Sequence, residues 1–333
     1  MEIIGAAAAA LVALGIILAG CELFTNGIEW FGNKLNLSAG AVGSVLAAVG
    51  TALPETIVPI VALVFVRGAK AEDIGIGAIL GAPFMLATLA FMMTGLAAIV
   101  YHRKGRRGLD LSVDTATLGQ DMMYFLGVYI VAIGLSFVPS KPLQVAGGIA
   151  LLLAYAYYVR LHFAREGEEE GEALTPLHLA RRVEVPRLRM VLLQVFVSLS
   201  AIFLGAHLFV QNLEKISGFC GVSALVLSLI ITPIATELPE KFNSIIWVGR
   251  GKDTLALGNI TGAMVFQSCI PVMVGVLLTP WHLEPKALAS AVIALFSAAM
   301  VMIVMRISRR LSPYVLLLGG PLYAVWLWFA LRG

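Results

Sequence analysis

Gly50-Thr51-Ala52-Leu53-Pro54-Glu55 and, 185 residues later, Ala235-Thr236-Glu237-Leu238-Pro239-Glu240 decide how this chain folds. Each stretch lies in the middle of a long apolar run, so each puts a carboxylate where a bilayer would put its core. A carboxylate there costs roughly 3 kcal/mol on insertion scales and is kept mostly for function. The neighbouring proline cannot donate to the helix ladder. It is expected to break the helix and to free backbone carbonyls beside the acid.

The surroundings agree with a membrane setting. Of 333 residues, 59% are hydrophobic and 13% charged, against about 25% charged in soluble domains. Mean hydropathy is +0.93. Apolar runs long enough to cross a bilayer recur from end to end, which predicts an all-α polytopic membrane protein. Ten spans are drawn at about 3–25, 39–66, 73–100, 121–138, 142–163, 190–212, 222–249, 254–279, 286–306 and 311–331. The largest polar segment, Arg160 to Arg189, carries the acidic run Glu166-Gly167-Glu168-Glu169-Glu170-Gly171-Glu172 and reads as a solvated linker. The expected organisation is a first five-helix repeat over 1–163, a cytoplasmic linker over 164–189 and a second five-helix repeat over 190–333. Cys21, Cys220 and Cys269 lack metal-ligand spacing and read as small membrane-buried residues. Leu18-Ala19-Gly20-Cys21 looks like a lipoprotein cleavage box, but no Lys or Arg precedes it, so it reads as part of the first span.

The two halves repeat. At an offset of 185, Glu22-Leu23-Phe24 matches His207-Leu208-Phe209, Glu29 matches Glu214, and Thr51, Leu53, Pro54 and Glu55 match Thr236, Leu238, Pro239 and Glu240. Further on the offset becomes 181, where Gly77, Ile79, Gly81 and Ala82 match Gly258, Ile260, Gly262 and Ala263. Five spans per half is an odd number, so the second half is inserted upside down. Inverted repeats with interrupted helices meeting at the midplane are the plan of secondary transporters. With the N-terminus outside, sixteen Lys and Arg residues fall on the inner side and six on the outer, with Lys241 inside a span. This bias predicts both termini outside and the linker cytoplasmic, in the plasma membrane.

A two-fold axis in the membrane plane would bring Glu55 and Glu240 together. Two carboxylates, the Thr51 and Thr236 hydroxyls and freed carbonyls would form the oxygen cage that hard cations prefer. Nearby carboxylates cannot both stay bare in a low dielectric and must hold protons or cations, which favours exchange over leak. Glu237 could add a third carboxylate, but Lys241 follows at the favourable i,i+4 spacing and invites an internal pair. Asn259 and Gln267 share a face of the eighth span and could each supply a carbonyl oxygen, although Gln267 could equally make an interhelical hydrogen bond. Asn243 is a weaker candidate. The Gly77/Gly81 and Gly258/Gly262 pairs read as close-packing motifs. Glu22, Glu29, His207 and Glu214 lie near span ends and read as solvated. There is no phosphate loop and no soluble-enzyme motif, so neither an ATP-driven pump nor an enzyme is expected. No cofactor is expected beyond transported cations; the partners are inorganic cations and lipid, not nucleic acid.

The segment from Glu22 to Glu55, with Glu22-Leu23-Phe24-Thr25-Asn26-Gly27-Ile28-Glu29-Trp30 and Gly50 to Glu55, resembles the first α-repeat of the sodium/calcium exchanger family. Ala235 to Gln267, with Gly258-Asn259-Ile260-Thr261-Gly262, resembles the second. The resemblance implies that Glu55 and Glu240 are the central cation carboxylates, with Thr51 and Thr236 beside them. The family's serines do not survive, since Ala52, Glu237, Ala82 and Ala263 stand in their places. Pro83 and Met264 replace the family's asparagine, and Leu86 and Gln267 fill its final Asn or Asp positions. The flanking sodium sites are therefore depleted.

The expected function is a secondary antiporter exchanging a divalent cation, calcium first, for sodium or protons by alternating access. The alternatives are an exchanger of another cation such as magnesium or manganese, a passive channel, or a non-transporting scaffold. The charge asymmetry is directly testable. A cysteine introduced near Glu168 is expected to resist an impermeant thiol reagent in intact cells and to react only after permeabilisation.

Overall fold

The computed structural model describes residues 2–34, 52–163 and 174–332, apart from the side chains of residues 238–240. The described chain is helical throughout, and its one β-type contact is a single bridge between Leu111 and Leu311. The first half comprises α1 (Glu2–Lys34), α2 (Leu53–Ile60), α3 (Ala69–Met85), α4 (Phe91–Arg103), α5 (Thr115–Gly134) and α6 (Lys141–Phe163). The second comprises α7 (Leu188–Cys220), α8 (Ala224–Gly249), α9 (Asp253–Leu278), α10 (Pro285–Ser308), α11 (Pro313–Leu317) and α12 (Gly319–Leu331). Helices α3 and α4 form one 35-residue span, as α11 and α12 form one of 19 residues. Eight spans are long and apolar enough to cross a membrane, and the shorter apolar helices 53–66 and 224–237 mark the remaining two.

Local chemistry sets the helix ends. Asp114 caps α5 by accepting from the Ala116 and Thr117 amides, and Ser223 caps α8 through the Val226 amide. Gly221, at φ 65°, turns the chain out of α7, a conformation that costs glycine little. Proline is absorbed within the spans by local rewinding. After Pro59 the chain continues as a π-helical turn over Val61–Val66, and after Pro83 another runs over Leu86–Ala90. Such turns reassign carbonyls that proline leaves without a donor. Ser297 on α10 donates to the Ala87 carbonyl inside the second of them.

The packing carries the two-fold relation. Helices α1 and α7 pair along much of their length, and their closest approach is reciprocal. A side chain on Gly20 would press on Ile202 and the Ser198 carbonyl, and one on Gly205 would press on Ile17 and the Ala13 carbonyl. Gly20 and Gly205, Ile17 and Ile202, and Ala13 and Ser198 are each separated by the repeat offset of 185. A self-complementary contact of this kind requires a two-fold axis between the helices. With five spans per half, that axis lies in the membrane plane and the repeats are inverted. The other helices pack in matching pairs, α3 on α8 with α9 on α2, and α5 on α9 with α10 on α3.

The loops gather at two ends. At one, Arg107 after α4 reaches the Val248 carbonyl and forks onto Asp253 at 2.6 and 2.7 Å. There too the linker docks on α1, with the Trp30 indole and Asn26 amide donating to Thr175. At the other, Lys141 donates to the Val276 and Thr279 carbonyls, and the Trp281 indole to Ala132. The long apolar faces of α1 and α7 remain exposed, including Leu11, Val12, Phe196 and Leu204, as lipid-facing surfaces do.

Three expectations are corrected. Helices α1 and α7 run well past the drawn ends at residues 25 and 212, so Glu29 and Glu214 lie within helices. Cys21 and Cys269 are buried, but Cys220 is exposed at the end of α7. Helix α8 is helical from Ala224 to Gly249 without a break at Pro239, because a proline removes one donor while the flanking turns hold the helix. Glu22 is exposed, as the solvated reading expects, with His178 3.6 Å away.

The Gly77/Gly81 pair does fix a close approach. A Cβ on Gly81 would fall 2.7 Å from the Leu229 carbonyl and 2.6 Å from Pro233, and one on Gly77 would fall 2.7 Å from the Leu225 carbonyl. Backbone cannot yield as a side-chain tip can. Gly81→Val should therefore destabilise by about 1–3 kcal/mol, read as a lower melting temperature in detergent and a smaller monodisperse fraction. Gly127→Ala, where no atom lies within 4 Å, should change neither.

Candidate functional site

Glu55 lies in the first turn of α2, directly after Pro54, with its residue 5% exposed. Pro54 suits this place because a first-turn residue has no helical acceptor for an N–H. The helix N-terminus also carries partial positive charge, which favours a carboxylate there. Thr56 turns its hydroxyl back to the Ala52 carbonyl at 2.7 Å. Helix α2 packs against α3, α7, α8 and α9, so Glu55 belongs to a protein-lined interior and not to a lipid face.

On α8, Thr236 is 2% exposed and Glu237 fully buried. The Thr236 hydroxyl donates to the Thr232 carbonyl at 3.1 Å, which leaves its oxygen able to accept or to ligate. One oxygen of Glu237 accepts from the Gln267 amide on α9, and the other lies 3.4 Å from the Lys241 ammonium. Glu237 thus has the geometry of the internal pair, and Gln267 that of an interhelical donor. Asn259 is half-buried and reaches the Ser244 hydroxyl at 3.5 Å, and Ser244 in turn donates to the Ala256 carbonyl at 3.2 Å. Thr51 and the side chain of Glu240 lie outside the described residues.

One buried acid escaped the sequence reading, which placed Asp121 only as the edge of a span. Asp121 is 2% exposed on α5. It accepts from the Tyr158 hydroxyl of α6 at 3.0 Å and from the Thr261 hydroxyl of α9 at 2.7 Å. Thr261 stands two residues from Asn259, so this cluster braces the same helix that carries Gln267. The usable signal was an Asp opening an apolar run together with a Thr inside the Gly258–Gly262 motif.

No group of three or more His, Cys, Asp or Glu side chains gathers as a metal cluster among the described residues. The candidate site offers hard oxygen atoms from carboxylate, hydroxyl and amide groups on α2, α8 and α9. Such a set suits alkali and alkaline-earth cations better than softer metals.

Solved structures of similar fold include the H+/Ca2+ exchanger CAX, with a TM-score of 0.71 at 17% identity over 98% of this chain and 87% of that one. The sodium-calcium exchanger NCX_Mj follows with a TM-score of 0.58 at 21% identity, covering 97% of this chain and 98% of that one. Among curated relatives, the inner membrane protein YrbG of Escherichia coli (strain K12) is 27% identical over 296 residues, 86% of this chain and 84% of that protein. The model of the sodium/calcium exchanger protein family matches residues 5–164 and 190–332, on both sides of the linker. With two inverted five-helix repeats and a buried carboxylate on the span where the repeat motif falls, the chain belongs to the sodium/calcium exchanger protein family.

Proposed function

We propose that this protein is a secondary antiporter that exchanges a divalent cation, calcium first, for sodium or protons by alternating access. The observation that carries the reading is Glu55, a carboxylate buried in the interior of a membrane-spanning bundle at the start of α2. Glu55 binds the cation together with Glu240, its counterpart in the second repeat, while the Thr51 and Thr236 hydroxyls line the site. Asn259 serves as a further carbonyl oxygen. Gln267 and Glu237 are weaker ligands, because each is engaged with the other.

The mechanism follows from electrostatics. A cation entering between carboxylates loses its hydration shell and gains fixed oxygens. Once the cation leaves, the acids repel one another and need protons or sodium before the bundle can rearrange. The inverted halves give two arrangements of similar energy, one open to each side. Coupling arises because an unloaded, charged site is costly to carry through the closed intermediate. Both monovalent ions stand as coupling candidates, since CAX is an H+/Ca2+ exchanger and NCX_Mj a sodium-calcium exchanger. The protein sits in the cell membrane with both termini outside and the linker cytoplasmic.

A second reading, an exchanger of magnesium or manganese, is favoured by the apolar residues Ala52, Ala82 and Leu86 at positions where oxygen ligands would otherwise enlarge the cage. Fewer side-chain oxygens suit a cation that keeps part of its water.

Two measurements test the proposal. In proteoliposomes, Glu55→Gln and Glu240→Gln should each slow calcium exchange at least about a hundredfold, or about 2.8 kcal/mol at about 1.4 per tenfold. Calcium exchange at the wild-type rate in either variant contradicts the assigned role. Uptake of calcium, magnesium and manganese should require an opposing sodium or pH gradient. Flux without any counter-ion would indicate a channel instead.

A further inference from the structure

Lys241 is a lysine drawn in the interior of a span, and it is 2% exposed. Its ammonium lies 3.4 Å from one oxygen of fully buried Glu237, whose other oxygen is held from α9 by the Gln267 amide. The matching positions of the other repeat carry no such set. The positions matching Glu237, Lys241 and Gln267 hold Ala52, Thr56 and Leu86, and there the Thr56 hydroxyl simply turns back onto the Ala52 carbonyl. One half of an otherwise matched pair of repeats therefore carries an added acid together with an added base. A buried carboxylate in this setting demands a cation close by. A mobile ion could satisfy it, but that ion would be loaded and released with every turn of the cycle. An ammonium is a compact point charge on a flexible stem and presents a cation of comparable charge without leaving the protein.

We propose that Lys241 acts as a tethered cation that fills, at Glu237, the place of one transported monovalent ion. The exchanger then moves one monovalent charge fewer per divalent cation than Glu237 alone would require. This inference rests on the antiporter reading above, and it concerns only how many ions are coupled.

The test is the net charge moved per divalent cation. It is read in proteoliposomes from the combination of ion gradients and clamped potential at which net flux vanishes, a readout indifferent to whether sodium or protons are the counter-ions. Lys241→Met should add one positive charge to the monovalent side of the cycle, because Glu237 must then recruit a mobile ion. Glu237→Gln should shift the balance by one charge in the opposite direction. The Glu237→Gln, Lys241→Met double variant should return to the wild-type value. If both single variants fold but do not transport, recovery of exchange with wild-type charge in the double variant supports the proposal, and failure to recover overturns it. Single variants that exchange with an unchanged charge per cycle also overturn it and leave the antiporter reading intact. Absence of any coupled exchange in the wild type defeats the antiporter reading itself and this inference with it.

Discussion

Charge removed from water must be answered within the bundle, and this constraint organises the molecule from its core to its ends. Each buried ionisable side chain with a described partner finds one across a helix seam or one turn along its own helix. Arg107 and Asp253 join the loop after α4 to the start of α9. Glu237 ties α8 to α9 through Gln267. Asp121 ties α5 and α6 to α9 through two hydroxyls. Helix α9 takes part in all three, so the span bearing Asn259 and Gln267 is held on three sides by polar contacts. Breaking such a pair strands a charge in an apolar medium, which is far more costly than making the pair is favourable. The polar contacts thus fix register, while apolar burial and backbone hydrogen bonds supply most of the cohesion.

The second organising element is close backbone approach. Apolar side chains gain little by leaving lipid for one another, so helices in a bilayer associate through fit and hydrogen bonding. Gly20 and Gly205 let α1 and α7 meet in a reciprocal contact, and Gly77 and Gly81 seat α3 against the backbone of α8. Ser228 adds a hydrogen bond to the Ile74 carbonyl at the same seam, at 2.7 Å. The paired α1 and α7 form an apolar cluster with α2, joined by Ile74 of α3 and by Ala224 and Ala235 of α8, beside the larger cluster spanning α3 to α6 and α8 to α12.

What the sequence made legible follows from which signals are local. Hydropathy is local, so the ten spans and the long apolar runs could be drawn. The repeat is a one-dimensional correlation, so Glu55 and its counterpart stood out, as did the odd span count that forces inversion. The i,i+4 spacing of Glu237 and Lys241 is likewise readable along one helix. By contrast, Asp121 gains its meaning from Tyr158 and Thr261, 37 and 140 residues away, and a partner at that distance leaves no local trace. Arg107 was counted as one more inner-side charge because its acid lies 146 residues on. Helix ends were drawn short at α1 and α7 because helices continue past the apolar stretch when other chain segments cover them, as the linker does at Asn26 and Trp30. Pro239 misled in the other direction, since a missing donor is easier to read than the turns that tolerate it.

The departures from symmetry carry as much weight as the symmetry. If the two halves were identical, the inward-open and outward-open arrangements of the proposed cycle would be related by the two-fold rotation and equal in energy. Here the polar trio of Glu237, Lys241 and Gln267 sits on the second half alone, opposite Ala52, Thr56 and Leu86. Under the proposed alternating access, a fixed pair of opposite charges on one side of a pseudo-two-fold axis would occupy different surroundings in the two arrangements. Its cost in each arrangement would depend on how much water reaches α8, and a difference in that cost would bias one arrangement over the other. A ligand shifts such an equilibrium only by its differential affinity for the two arrangements. A built-in bias therefore sets which side binds ions more tightly before any ion arrives. The asymmetry between the repeats is in this sense a physical basis for unequal energies of the two arrangements proposed above, while the ion gradients would set the direction of net exchange.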